Sequence, residues 1–325
     1  MTTAYASAPG KIILFGEHAV VYGRPALAVP VTQVHVDVEV RDSVRSGIWI
    51  DAPDVNLHAE LNTLPSDHPL ASVIHNFLFL SRQFSSPAGR GDRGEGHFPD
   101  LNIKISSTIP VASGLGSGAA VTVALTRALS SHLQYPMSDD EINAFTYEIE
   151  KLHHGTPSGI DNTVVTYARP VYFIKGHPIE TFKVDHPFTI VIGDTGIFAP
   201  TKESVGDVRK LWEADKAKWE KVFDQVGEIV NTARMCIENG KWELLGDLMN
   251  ANHELLQKMT VSSPELDTLI SVARKTGALG AKMSGGGRGG NMITLVTPEI
   301  AETVSRSLQE AGAHHTVITT ISSSI

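Results

Sequence analysis

The run Pro110-Val111-Ala112-Ser113-Gly114-Leu115-Gly116-Ser117-Gly118-Ala119-Ala120 lies between an apolar, strand-like segment, Leu101 to Ile105, and a small-residue helical pattern, Ala119 to Leu133. Strand, glycine-rich turn and helix in that order present bare backbone N–H groups to an anion. Glycines let the backbone come close to phosphates, and the helix N-terminus adds partial positive charge. The guest such a loop expects is a nucleoside triphosphate. It is not a Walker loop, since no Gly-x-x-x-x-Gly-Lys-Ser/Thr occurs, and Gly114, Gly116 and Gly118 miss the dinucleotide fingerprint. Taken alone, the run fits a tight structural turn as well as a phosphate site.

Other residues could complete such chemistry. Phosphoryl transfer needs phosphates held in line, a metal, positive charge near the transferring group and a residue to orient or deprotonate the acceptor hydroxyl. Asp161, in Pro157-Ser158-Gly159-Ile160-Asp161-Asn162, carries a carboxylate that can accept a hydroxyl proton. Spacing alone favours a helix cap for it, opening Asn162 to Tyr167. Lys11 follows Pro9-Gly10 at the edge of an apolar strand. It could stabilise the ionised Asp161 and an emerging alkoxide; an ordinary surface lysine is the plainer reading. Magnesium takes oxygen ligands, usually one or two from protein, and Glu150 could supply one, although most glutamates on such a helix are simply solvated.

The elements that must hold these residues are mixed. Ile12 to Phe15, Ala26 to Val29 and Val34 to Val40 read as strands, the last alternating Val34, Val36, Val38, Val40. Pro69 to Phe84 reads as a helix, and Ser85 to His97 as a surface loop. Ser138-Asp139-Asp140-Glu141 is a capping box opening a helix to about His153. Strands return at Val171 to Ile174 and Thr189 to Ile192, with a boundary near His177 to Pro187. Lys202 to Glu238 reads as one long helix stopped by Gly240. Trp242 to Gln257 and Pro264 to Lys275 follow as helices, the latter between Ser263 and Gly277. Then come strand Leu279 to Met283, a glycine loop, strand Met292 to Val296, helix Pro298 to Ala311 and strand His315 to Thr320. The mixture implies an α+β fold. The Ser322 to Ser324 tail is expected to fray.

Composition bounds the partners. The chain has 325 residues, 42% of them hydrophobic, enough for two domains with full cores. A net charge of −9 argues against nucleic acid, so a polyanionic substrate must be met by local positives and backbone dipoles. The single cysteine, Cys236, cannot form an internal disulfide and reads as a small core residue in a reducing compartment. No signal peptide or membrane-length apolar run is visible, and a soluble cytoplasmic protein without a membrane partner is expected. A homodimer is compatible with all of this.

Two more segments flank the phosphate loop. Ala8-Pro9-Gly10-Lys11-Ile12-Ile13-Leu14-Phe15-Gly16-Glu17-His18-Ala19-Val20-Val21-Tyr22-Gly23 stands near the start, and Lys282-Met283-Ser284-Gly285-Gly286-Gly287-Arg288-Gly289-Gly290 near the end. The three in this order resemble the motifs of the GHMP kinase superfamily, small-molecule kinases named for galactose, homoserine, mevalonate and phosphomevalonate. The resemblance spans nearly the whole chain. Galactokinases usually continue Gly-Glu-His with Thr-Asp-Tyr; the Ala19-Val20-Val21-Tyr22-Gly23 continuation here, and the His154 to Asn162 segment, are similar to the mevalonate kinase branch.

The resemblance implies an S5-like N-terminal domain (1–182) and a ferredoxin-like C-terminal domain (183–325), with the site between them. It implies ATP-dependent phosphorylation of the primary hydroxyl of mevalonate, with ATP and Mg2+ as cofactors. Asp161 would be the base and Lys11 its catalytic partner. Glu17, His18 and Thr201 would lie near the acceptor. Pro110, Ser113, Gly114, Leu115, Gly116, Ser117, Gly118 and Ala119 would bind ATP. Ser284, Gly285, Gly286 and Gly287 would form a third loop toward phosphates or acceptor. Glu150 and Ser117 would hold the metal. Two departures stand out. Gly118 replaces the second serine of a Ser-Ser pair, the usual magnesium ligand. Arg288 interrupts the third glycine run, and Asn291 replaces a common cysteine. Another GHMP kinase, for phosphomevalonate or a sugar, and a catalytically weakened nucleotide- or metabolite-binding protein of the same fold are the alternatives.

Overall fold

The alternation at Val34, Val36, Val38 and Val40 belongs to a strand much longer than the pattern suggests: all four are buried on one face, and the strand runs unbroken from Ala26 to Asp42. The computed structural model describes residues 2–84, 99–110, 113–154, 157–178 and 180–322. The Ser85 to His97 loop, Val111-Ala112 of the glycine run, Gly155-Thr156 and Ser323-Ser324 lie outside the described residues.

The first half of the chain builds β1 (Thr3–Phe15), β2 (Ala26–Asp42), β3 (Ile48–Ala52), β4 (Leu57–Glu60), α1 (Pro69–Phe84), β5 (Leu101–Ser107), α2 (Ser117–His132), α3 (Asp139–His154), α4 (Ile160–Tyr167), β6 (Val171–Phe173) and β7 (Glu180–Thr181). Its seven strands form one mixed sheet in the order β4-β3-β5-β2-β6-β7, with β1 along the other edge of β2. Among the described residues only β3 and β5 run parallel. The β1–β2 register shifts between Pro9 and Gly10, an irregularity of the kind that re-aims the next side chain, here Lys11.

The second half supplies β8 (Phe188–Asp194), α5 (Thr201–Ala214), α6 (Lys216–Asn239), α7 (Trp242–Lys258), α8 (Pro264–Lys275), β9 (Gly280–Ser284), β10 (Asn291–Val296), α9 (Ala301–Glu310) and β11 (His315–Ile321). Its antiparallel sheet has the order β11-β8-β10-β9. Fourth, first, third, second is the strand order of a ferredoxin-like layer, as the resemblance implied. The α+β class holds throughout.

Local chemistry explains most boundaries. Ser138 and Glu141 close the capping box of α3 reciprocally, the Ser138 N–H donating to Glu141 Oε2 at 2.7 Å and the Glu141 N–H to Ser138 Oγ at 3.3 Å. Ser263 accepts from the Leu266 N–H to start α8, and Gly240 ends α6 in the left-handed conformation. The Lys202 to Glu238 stretch is not one helix. It breaks at Asp215, whose backbone leaves helical geometry at φ −151 and whose carboxylate accepts from the Lys218 N–H to start α6. Helical periodicity continues across this break, which is why the sequence reads through it. The Pro298 to Ala311 helix also starts differently, as a 3-10 turn from Pro298 to Ile300 before α9.

One core runs through both sheets, and a smaller one anchors the short helix α4: Ile160 and Val164 pack with Val20, Ala26, Ala28, Val171 and Phe173. Cys236 is buried on α6, as expected. No helix among the described residues is long and apolar enough to cross a membrane.

Candidate active site

Lys11 and Asp161 meet. The ammonium lies 3.0 Å from Asp161 Oδ1, with the lysine side chain 6% exposed and the carboxylate 35%. Asp161 is not a cap: Gly159 occupies the N-cap of α4, no side-chain cap bond forms, and Asp161 stands in the first turn. The small core behind α4 fixes its place, and Lys11 follows the register shift between Pro9 and Gly10, where the extra residues lie on β2.

The phosphate loop is built onto the same lysine. The Lys11 N–H donates to Leu115 O at 2.9 Å. The Lys11 stem crosses Gly116, where a Cβ would stand 2.8 Å from Lys11 Cγ, and Gly116 has φ +75. Only glycine meets both demands. Gly116 is also the N-cap of α2, its carbonyl accepting from the Ala120 N–H. The N–H groups of Ser117, Gly118 and Ala119 therefore open the helix without intrahelical partners, the arrangement that receives phosphate. Ser113 is buried and closes a turn onto Pro110 O at 3.3 Å.

An oxygen-donor site adjoins this helix start. A Cβ on Gly118 would stand 3.3 Å from Glu150 Oε1, with Ser117 next in the chain. A carboxylate and a hydroxyl beside a phosphate cradle suit a hard divalent cation. Among the described residues, no group of three or more His, Cys, Asp and Glu is gathered to hold an ion.

The third glycine loop approaches from the second half. Ser284 Oγ donates to Ile13 O at 2.8 Å. Gly286 packs against the start of α5, where Thr201 Oγ1 would be 2.7 Å from a Cβ on that glycine. The Gly286 carbonyl accepts from His18 Nε2 at 3.1 Å. A carbonyl can only accept, so His18 carries its proton on Nε2. Burial pushes the His18 pKa down to about 4, against the pull of the Gly286 carbonyl, so the ring is neutral at pH 7.

Glu17 lies deeper than the sequence suggests. It forms a fully buried ion pair with Lys282 of β9, a residue given no role by sequence reasoning. Burial raises the Glu17 pKa and lowers that of Lys282, and each partner opposes the other's shift. A signal for Lys282 was present: it is a lysine inside a strand whose every residue is buried. Asn291, noted only as a departure, donates its Nδ2 to Ser113 O and so joins the third glycine loop to the phosphate loop.

The structure thus brings together Lys11, Asp161, the phosphate loop, Glu150, His18, Thr201 and Gly286. The chain is similar to known proteins over nearly its whole length. The family model for the GHMP kinases N terminal domain matches residues 80–169, and that for the GHMP kinases C terminal matches residues 233–314. A mevalonate kinase of Thermococcus gammatolerans is 35% identical over 326 residues, covering 94% of this chain and 93% of that protein. The crystal structure of L. major mevalonate kinase in complex with R-mevalonate superposes with a TM-score of 0.84 at 28% identity, covering 99% of this chain and 97% of the other. The mevalonate kinase of Methanococcus jannaschii gives 0.80 at 26% identity, with 98% of each chain covered.

Proposed function

The chain belongs to the GHMP kinases, with mevalonate kinases among its relatives, and on that premise we propose that it transfers the γ-phosphoryl group of ATP to the primary hydroxyl of mevalonate, giving 5-phosphomevalonate and ADP. The observation that carries the reading is the Lys11–Asp161 pair at 3.0 Å, laid across Gly116 of the phosphate loop. The loop N–H groups hold the nucleotide phosphates. The mevalonate hydroxyl lies against Asp161, which takes its proton as the new O–P bond forms and ADP leaves. The Lys11 ammonium faces the charge that develops between them. His18, neutral and fixed by Gly286, together with Thr201, bounds the acceptor. A nucleotide-binding protein without catalysis has no need of a carboxylate and ammonium paired at this point.

The test is a coupled ADP-release assay with R-mevalonate, phosphomevalonate and galactose as acceptors, with the product identified by mass. Release with mevalonate no faster than without protein, while another acceptor is consumed, makes the assignment wrong.

Glu150 and Ser117 would hold magnesium, which when bound would offset the charge of the nucleotide phosphates. Gly118 is absent from the glycines at positive φ, so its backbone accepts a side chain. Gly118→Ser places a hydroxyl beside Glu150 after a shift of a few tenths of an ångström. The magnesium concentration needed for half-maximal binding of an ATP analogue is expected to fall by up to about tenfold, the equivalent of about 1.4 kcal/mol. Fluorescence titration of wild type and variant checks this. An unchanged magnesium requirement with unchanged nucleotide affinity shows that position 118 does not face the metal.

A further inference from the structure

Arg288 stands inside a run of glycines at φ +61, a backbone conformation that glycine adopts freely and residues bearing a Cβ adopt rarely. Its side chain supplies a reason. Arg288 Nη1 lies 2.7 Å from Asp207 Oδ2. Nε donates to Thr260 O at 3.2 Å, and the Arg288 N–H donates to Val261 O at 2.8 Å. One residue therefore ties the third glycine loop to α5, through Asp207, and to the turn after α7, through Thr260 and Val261.

Less than two turns before Asp207, the same helix begins with Thr201, and Thr201 packs on Gly286. Gly286 in turn accepts from His18. The position of α5 relative to the loop thus sets the spacing of Thr201, Gly286 and His18. The phosphate loop is held by other contacts, from the Lys11 N–H to Leu115 O and from Asn291 to Ser113 O.

We propose that Arg288 is a positioning residue whose clamp onto Asp207 fixes the acceptor wall formed by Thr201, Gly286 and His18, and so sets affinity for the acceptor and not for ATP. The inference rests on the kinase reading above. Arg288 touches no reacting atom; its effect passes through α5. Lysine cannot reproduce the fork, because a single ammonium cannot hold Asp207 and Thr260 O in the same geometry.

The test is a double-mutant cycle in the full chain with steady-state kinetics for both substrates. Arg288→Gly suits the left-handed backbone, and Asp207→Ala leaves a good helix former on α5. Either is expected to raise KM for mevalonate roughly fivefold, the weight of one well-fixed, partly exposed ion pair. The double variant should add nothing further, while kcat and KM for ATP stay within about twofold. Arg288→Lys should recover part of the loss.

Three outcomes overturn the proposal. KM for mevalonate is unchanged in both single variants. Or Arg288→Gly raises it while Asp207→Ala does not, which means that Arg288 meets the substrate directly. Or KM for both substrates and kcat shift together with a lowered melting temperature, which means a general structural role. Wild type assayed alongside separates these from failure of the kinase reading: a wild type that ignores mevalonate overturns both, whereas an active wild type with an unmoved variant KM overturns the clamp alone.

Discussion

Asp161→Asn is expected to lower turnover by roughly 10²–10⁴-fold. The amide keeps the size of the side chain and can still accept from the Lys11 ammonium, but it cannot take a proton from the acceptor. Stability should change far less than rate. Asp161 caps nothing, and α4 is held by Ile160 and Val164 in the small core and by Asn162, which donates to Asn143 Oδ1 at 2.7 Å. The remaining cost comes from Lys11, whose side chain is 6% exposed and loses its counter-charge. Rapid-quench single-turnover measurement isolates the transfer step from product release, and a thermal melt of the same sample reads the fold. Near-normal transfer with a large loss of melting temperature would show that the pair serves structure alone.

The second large effect concerns the fold. Removing one partner of a buried ion pair strands the other charge, a loss of about 3–5 kcal/mol. Glu17 and Lys282 are both fully enclosed, and Glu17 Oε2 has no hydrogen-bond partner among the described residues. Lys282→Met is therefore expected to destabilise strongly, leaving a carboxylate that must stay protonated or draw in water. Glu17→Gln should strand the charge of Lys282, which keeps its bond to Met283 O, its place near the Phe15 ring, 5.8 Å from the centroid, and a neutral amide oxygen in place of its counter-charge. The double variant, Glu17→Gln with Lys282→Met, should recover much of the loss because no uncompensated charge remains. Urea denaturation of the four proteins measures this. Single variants within about 1 kcal/mol of wild type, or a double variant no better than the worse single, would show that the charges are not coupled.

The parts of the molecule that were legible in sequence are those written locally. The ends of α1 and α8 follow from apolar periodicity, Ser263, Pro264 and Gly277. The phosphate loop follows from glycine spacing between a strand and a helix. Periodicity failed where a local side-chain bond outweighed it, as at Asp215. It also missed β3 and β4, short strands that gain their burial by pairing with β5 and with each other. Asp161 was ambiguous because a carboxylate after a Pro/Gly turn serves equally as cap or base; only its distance to Lys11, far away in the chain, separates the two. The same limit hid the partners of Arg288 and Asn291. Both were visible as departures from a glycine-rich pattern, but Asp207 and Ser113 are fixed by packing between distant segments and leave no periodic trace.

The bonds that hold the two halves of the site together also carry a timing. Glu17 and Lys282 are 265 residues apart, Ser284 and Ile13 are 271 apart, and Asn291 and Ser113 are 178 apart. At a ribosomal rate of about 5–20 residues per second, Glu17 emerges on the order of tens of seconds before its partner. Later in that interval the growing chain holds Lys11, the phosphate loop and Asp161, yet its third glycine loop does not exist. The carboxylate of Glu17 has no Lys282 to meet. Completion of β9 and β10 then supplies the missing charge, the seryl tie and the amide tie within one short stretch of synthesis. Until then the ties that join the two halves of the site cannot form.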